Sequence, residues 1–156
     1  MNRREFIAGA GASALAGVWP STRTLAAAQD ASAAGQRRQD QERHAVVDAC
    51  SDCMKTGEAC LAMCNEMLRH GMTSLADCQT RVVDMLTMCQ AMGSMAAVNT
   101  APPERLRALA TLCAETCRDC ERACKPQATT HAECKACMDD AGACAKACDA
   151  YKAARR

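Results

Sequence analysis

The residues best placed to do chemistry are the fourteen cysteines of this 156-residue chain. Thiolates coordinate soft metals, exchange disulfides or attack electrophiles, and spacing decides among these roles. Cys50-x-x-Cys53-Met54, followed by Ala59-Cys60-x-x-x-Cys64, recurs position for position as Cys134-x-x-Cys137-Met138, followed by Ala143-Cys144-x-x-x-Cys148. Between these copies lie Cys78, Cys89, Cys113, Cys117, Cys120 and Cys124. At about 100° per residue on a helix, Cys53, Cys60 and Cys64 fall roughly 60°, 80° and 40° to one side of Cys50, one narrow stripe. Cys113 to Cys124 fall within about 60° of one another, and Cys78 and Cys89 share a face three turns apart. Every cysteine therefore faces one way on its own helix.

The elements that must carry these stripes are four helices. The first runs from about Asp40 to His70 and stops at Gly71, a residue type that tolerates the left-handed C-terminal position. Ser74 with Asp77 predicts a capping box opening a second helix, which runs to about Val98. Pro102 and Pro103 suit the first turn of a third, ended by Pro126. Thr130 with Glu133 predicts a further capping box, and the fourth helix runs from about His131 to the C-terminus. Short loops between long helices imply an all-α, antiparallel up-down-up-down four-helix bundle with a cysteine-lined core. Gly57 and Ala141 interrupt two stripes and are expected to leave space there. Val82, Met85 and Met92 join the stripe of the second helix as ordinary core, and Leu106 and Leu109 plug one end.

Cysteine also packs as a small hydrophobe. That accounts for one or two such residues, whereas Leu or Val would fill fourteen positions better. A disulfide-stapled helical protein is a rival, since the count is even. Against it, disulfide-dense domains are usually small and loop-rich, and i,i+4 neighbours on a helix are poorly disposed to bridge each other. A thiol–disulfide redox protein is the other alternative. It needs a C-x-x-C at a helix N-terminus, and Cys134 with Cys137 come nearest. No Ser-His-Asp set, paired carboxylates or phosphate loop stands out, so no enzyme is expected.

Among metals, charge discriminates. Buried thiolates must be neutralised. If each Cu(I) takes two thiolates and each thiolate bridges two ions, the ratio is one to one and the net charge is zero. Separate four-thiolate zinc sites would each keep two negative charges. Soft sulfur ligands also select Cu(I). The expected cargo is thus many Cu(I) ions, about one per cysteine. The ligands are Cys50, Cys53, Cys60, Cys64, Cys78, Cys89, Cys113, Cys117, Cys120, Cys124, Cys134, Cys137, Cys144 and Cys148.

Asn2-Arg3-Arg4-Glu5-Phe6-Ile7 and the Ala/Gly run to Val18 have the form of a twin-arginine signal, and Ala26-Ala27-Ala28 offers a cleavage site. Residues 1–28 then form a leader, 29–40 a flexible arm without apolar period, and 41–156 the bundle, in a chain exported to the periplasm. The leader carries Arg3, Arg4, Arg23 and Glu5, so its removal takes the formal charge from +1 to −1. That balance argues against nucleic acid as a partner, and no apolar run suggests a membrane span in the mature chain.

The twin-arginine leader, the run Gly57-Glu58-Ala59-Cys60-Leu61-Ala62-Met63-Cys64, the Cys113 to Cys124 cluster and the Cys134 to Cys148 motif together resemble the exported copper storage proteins (Csp). The resemblance covers almost the whole mature chain. It implies a four-helix bundle, often oligomeric, that stores Cu(I) on inward cysteines for a copper-dependent enzyme client. A copper chaperone is a further expected partner, and general copper homeostasis a further purpose. In the expected topology Met63, Met67, His70, Met72 and His131 gather near one mouth and form a candidate metal-uptake site. The family carries a His/Met cluster there, whereas this chain has Met63 where a histidine is common.

Overall fold

A computed structural model of the chain describes the backbone of residues 22–154 and the side chains of residues 29–154. The leader expected over residues 1–28 lies outside them, apart from the backbone of 22–28. Four helices carry the fold: α1 (Thr22–Arg69), α2 (Ala76–Val98), α3 (Pro103–Cys124) and α4 (Ala132–Ala154). Short 3-10 turns, Thr73–Leu75 and Lys125–Gln127, precede α2 and follow α3. The chain divides into a unit of residues 1–33 and one of residues 34–156, and the second holds the bundle.

The punctuation follows from local chemistry. Gly71 takes φ 86, Met72 N–H donates to Met67 C=O and Gly71 N–H to Leu68 C=O, both at 3.0 Å. This pair of bonds is a Schellman stop, which the sequence predicted from the glycine. Asn99, at φ 53, ends α2 in the same left-handed region. Pro103 fills the first position of α3 as expected, while Pro102 stands just before the first turn, at the N-cap.

Two expectations at helix starts are corrected. The helix carrying Cys50 begins at Thr22 rather than near Asp40, so residues 29–40 are helical where an arm was expected. The stretch is rich in Ala, Gln and Arg, strong helix formers, and it needs no apolar stripe because residues 29–38 are exposed. The capping box of Ser74 and Asp77 does not form. Leu75 stands at the N-cap without a side-chain cap, and it is completely buried. Burying a leucine gains about 2 kcal/mol against about 1 kcal/mol for a cap, so the turn places Leu75 inward.

The helices form the expected antiparallel four-helix bundle. Cys60 meets Cys78 across α1 and α2, Cys78 meets Cys124 across α2 and α3, Cys120 meets Cys137 across α3 and α4, and Cys60 meets Cys134 across α1 and α4. Even the diagonal pair touches: Cys89 on α2 and Cys144 on α4 have sulfurs 3.7 Å apart. Small side chains permit this approach. A Cβ on Gly93 would stand 3.2 Å from Cys50 Cβ, so α1 and α2 close on one another at that layer. Outside, Arg118 of α3 pairs with Asp149 of α4, which also binds Lys152.

One end of the column is closed by Val46, Met92, Ala96, Leu106 and Tyr151, all fully buried. Leu106 was expected in this plug, while Leu109 is only partly buried. No described helix is long and apolar enough to cross a membrane.

Candidate metal centre

All fourteen cysteines are buried free thiols, and none is more than 1% exposed. Among the described residues no polar or charged residue is buried with them. The sulfurs divide into two sets of seven. One comprises Cys50, Cys53, Cys89, Cys113, Cys117, Cys144 and Cys148, toward the plugged end. The other comprises Cys60, Cys64, Cys78, Cys120, Cys124, Cys134 and Cys137, toward the opposite end.

Each set contains convergent ligand groups. Cys50, Cys89, Cys113 and Cys144 have sulfurs within 4.8 Å of one another, as do Cys53, Cys89, Cys117 and Cys144. In the second set Cys60, Cys64, Cys78 and Cys134 form such a group, and Cys60, Cys124 and Cys137 another. Cys89 and Cys144 belong to two groups, and so does Cys60. Shared sulfurs are what a bridged polynuclear site requires. With metal–sulfur bonds of roughly 2.3 Å, two sulfurs on one ion stand about 3.8 to 4.6 Å apart, from tetrahedral to linear. The contacts between sets of helices run from 3.1 to 4.0 Å, so small side-chain rotations suffice to admit ions.

Burial and crowding govern ionisation. Removal from water first, then the neighbouring Cys60 and Cys78, push the Cys64 and Cys134 thiols up. Cys89 is raised by hydrogen bonds with Cys113 and Cys117, and Cys78 by those with Cys124 and Cys60. One sulfur in each set goes the other way. Hydrogen bonds from Cys113, Cys117 and Cys148 lower Cys144, and those from Cys124 and Cys137 pull Cys120 down to about 6. A set of packed thiols thus accommodates one thiolate by pointing its neighbours' protons at it. Further ionisation needs a cation, and no buried residue among those described supplies one.

The split was visible in the sequence as gaps. No cysteine lies between Cys53 and Cys60, between Cys137 and Cys144, or between Cys78 and Cys89. At the level of Gly57, expected to leave space, the room is taken: a Cβ there would stand 2.6 Å from Met85 Cε and 2.9 Å from Leu86 Cδ2. Met85 is fully buried, and the Cys53 thiol donates to its thioether over 3.0 Å.

The five candidate uptake residues share the end where α1 and α3 finish and α2 and α4 begin, but they are unlike one another. Met63 and Met67 pack half-buried against the core. Met72 is 39% exposed. The His70 ring is exposed and held by Glu66 at 2.9 Å. His131 is half-buried, and its Nε2 is buried with no hydrogen-bond partner. Neither histidine joins a convergent group of three or more His, Cys, Asp or Glu ligand atoms among the described residues. Sequence reading missed Leu75, which is fully buried at this end. The signal was its place one turn before Cys78 on the same stripe.

A family model described as copper storage protein (Csp) matches residues 39–153. No curated protein matches the chain.

Proposed function

Because the chain belongs to the copper storage protein family, we propose that its two sulfur sets hold many Cu(I) ions, about one per cysteine, in bridged thiolate clusters. The observation that carries this reading is the pairing of fourteen buried thiols with the lack of any buried cationic side chain among the described residues. A monovalent soft ion at one per thiolate leaves the interior neutral. Tetrahedral zinc suits the same distances, but four-thiolate sites leave two negative charges apiece and do not divide seven sulfurs evenly.

The protein on this reading stores and releases copper without turnover. Cys134, which like Cys78 stands two residues inside a helix start, is raised chiefly by burial, the opposite of the activated thiolate that redox exchange requires. The twin-arginine leader fits export to the periplasm, where stored copper would supply a copper enzyme or a chaperone.

Titration of the mature, metal-stripped chain with cuprous ion, followed by native mass spectrometry, tests the reading. Uptake of on the order of ten or more ions, with the ultraviolet absorption of Cu(I)–thiolate, is the expected result. Saturation after one or two equivalents overturns it.

A further inference from the structure

We infer that Met85 is a metal ligand rather than core filling: its thioether, with the thiolate of Cys53, binds a Cu(I) ion at the waist between the two sulfur sets. The inference rests on the storage reading and adds to it a neutral sulfur from the middle of α2.

Three observations meet at this point. Met85 is fully buried, and its Sδ is 3.0 Å from Cys53 Sγ, as close as the 3.1 Å approach of the Cys78 and Cys124 thiols. The space it occupies exists because position 57 is glycine, since a Cβ there would overlap the Met85 methyl at 2.6 Å. Glycine inside a helix is unfavourable relative to alanine. Its presence on α1 opposite a thioether is explained if the thioether must reach the sulfur column.

The third observation is the distribution of sulfur along α2. This helix offers one cysteine to each set, Cys78 and Cys89, about 16 Å apart along its axis at 1.5 Å per residue. Met85 lies between them and is the sulfur α2 presents to the waist. Around it the other helices contribute Gly57 and Ala141, which bring no ligand. On α3 the sets nearly meet, because Cys117 and Cys120 are one turn apart.

Coordination requires Cys53 Sγ and Met85 Sδ to separate from 3.0 Å to about 4.6 Å, the spacing of two sulfurs in line on one ion. Methionine has three rotatable side-chain bonds and a polarizable sulfur, so it can make that adjustment. A thioether also adds no negative charge. An ion held there by Cys53 and Met85 fills its coordination without upsetting the one-to-one neutrality of the thiolates.

The test uses the mature chain carrying methionines labelled with carbon-13 at the ε-methyl, titrated with cuprous ion. Cu(I) is diamagnetic, so each methyl remains visible, and the Met85 signal is assigned by its loss in Met85→Leu. The Met85 methyl is expected to shift as copper is added, while that of Met95, at the far end of α2, stays in place. Met85→Leu, which keeps the apolar volume, is expected to fold with unchanged helix content and hold about one ion fewer in native mass spectra. A wild-type chain that takes up many ions with a stationary Met85 methyl overturns this inference alone. So does a Met85→Leu chain with the full ion count. Wild-type saturation at one or two ions overturns both this inference and the storage reading.

Discussion

The Sγ atoms of Cys78 and Cys124 lie 3.1 Å apart, a close approach of two thiols across α2 and α3. Cys78 also lies within 3.9 Å of sulfurs on α1 and α4, so one side chain from the cysteine-poor helix is the hub of its set. Cys89 holds the same place in the other, within 4.0 Å of Cys113, Cys117 and Cys144. Because a sulfur that meets partners on several helices can bridge more ions than one at the margin, Cys78→Ser and Cys89→Ser should each remove about two ions rather than one. A cysteine at the margin, such as Cys64, should cost about one. Native mass spectrometry of the loaded variants reads the difference, and equal losses at hub and margin would mean that Cys78 and Cys89 bridge no more ions than Cys64.

The stripes were legible because helical period is arithmetic: Cys50 to Cys64 and Cys134 to Cys148 had to share faces once both segments were helical. Gly71 and Pro103 fixed their helix boundaries for the same reason, since their backbone preferences act within a turn. The rest depended on contacts across helices. Leu75 defeated the capping box of Ser74 because burial on the stripe of Cys78 outweighs a cap, and a local motif does not weigh that. Met85 read as ordinary core, because a thioether on an apolar stripe has the same period whether it touches a leucine or the thiol of Cys53. Only the partner, placed by Gly57, distinguishes the two.

The metal-free bundle should lose stability at alkaline pH. Most thiols, Cys64 and Cys134 through burial and Cys89 through its neighbours among them, are raised above their ordinary value of 9.0. Above pH 9 the unfolded chain therefore releases protons that the folded chain retains. The unfolded state then binds fewer protons, and the free energy of unfolding falls as pH rises. Cys120, lowered to about 6, acts oppositely: its contribution is present above pH 9 and is lost as pH falls through 6. The raised thiols outnumber Cys120 and the likewise lowered Cys144, so thermal melts of the stripped chain should move downward from pH 9 to 10.5. Copper-loaded protein, whose thiolates are already ionised, should show no such decline, and a parallel decline would mean that the sulfurs are not the ligands.

The two histidines at the end opposite the plug should behave differently in loading. His131 has a buried Nε2 with no hydrogen-bond partner, and an unsatisfied imidazole nitrogen in a half-buried setting is poised to accept a soft ion. His70 is already held by Glu66 at the surface, so its ring must break that contact before it can bind. His131→Ala should therefore slow copper uptake and removal several-fold while leaving the number of ions unchanged, because the thiol sets are intact. His70→Ala should alter neither. Stopped-flow transfer from a cuprous chelate measures the rates, and end-point titration measures capacity. A reduced capacity in His131→Ala would make that residue part of the store rather than its mouth. Equal rates in wild type and His131→Ala would place the path of the ions elsewhere, past Leu75 or through the plug around Tyr151.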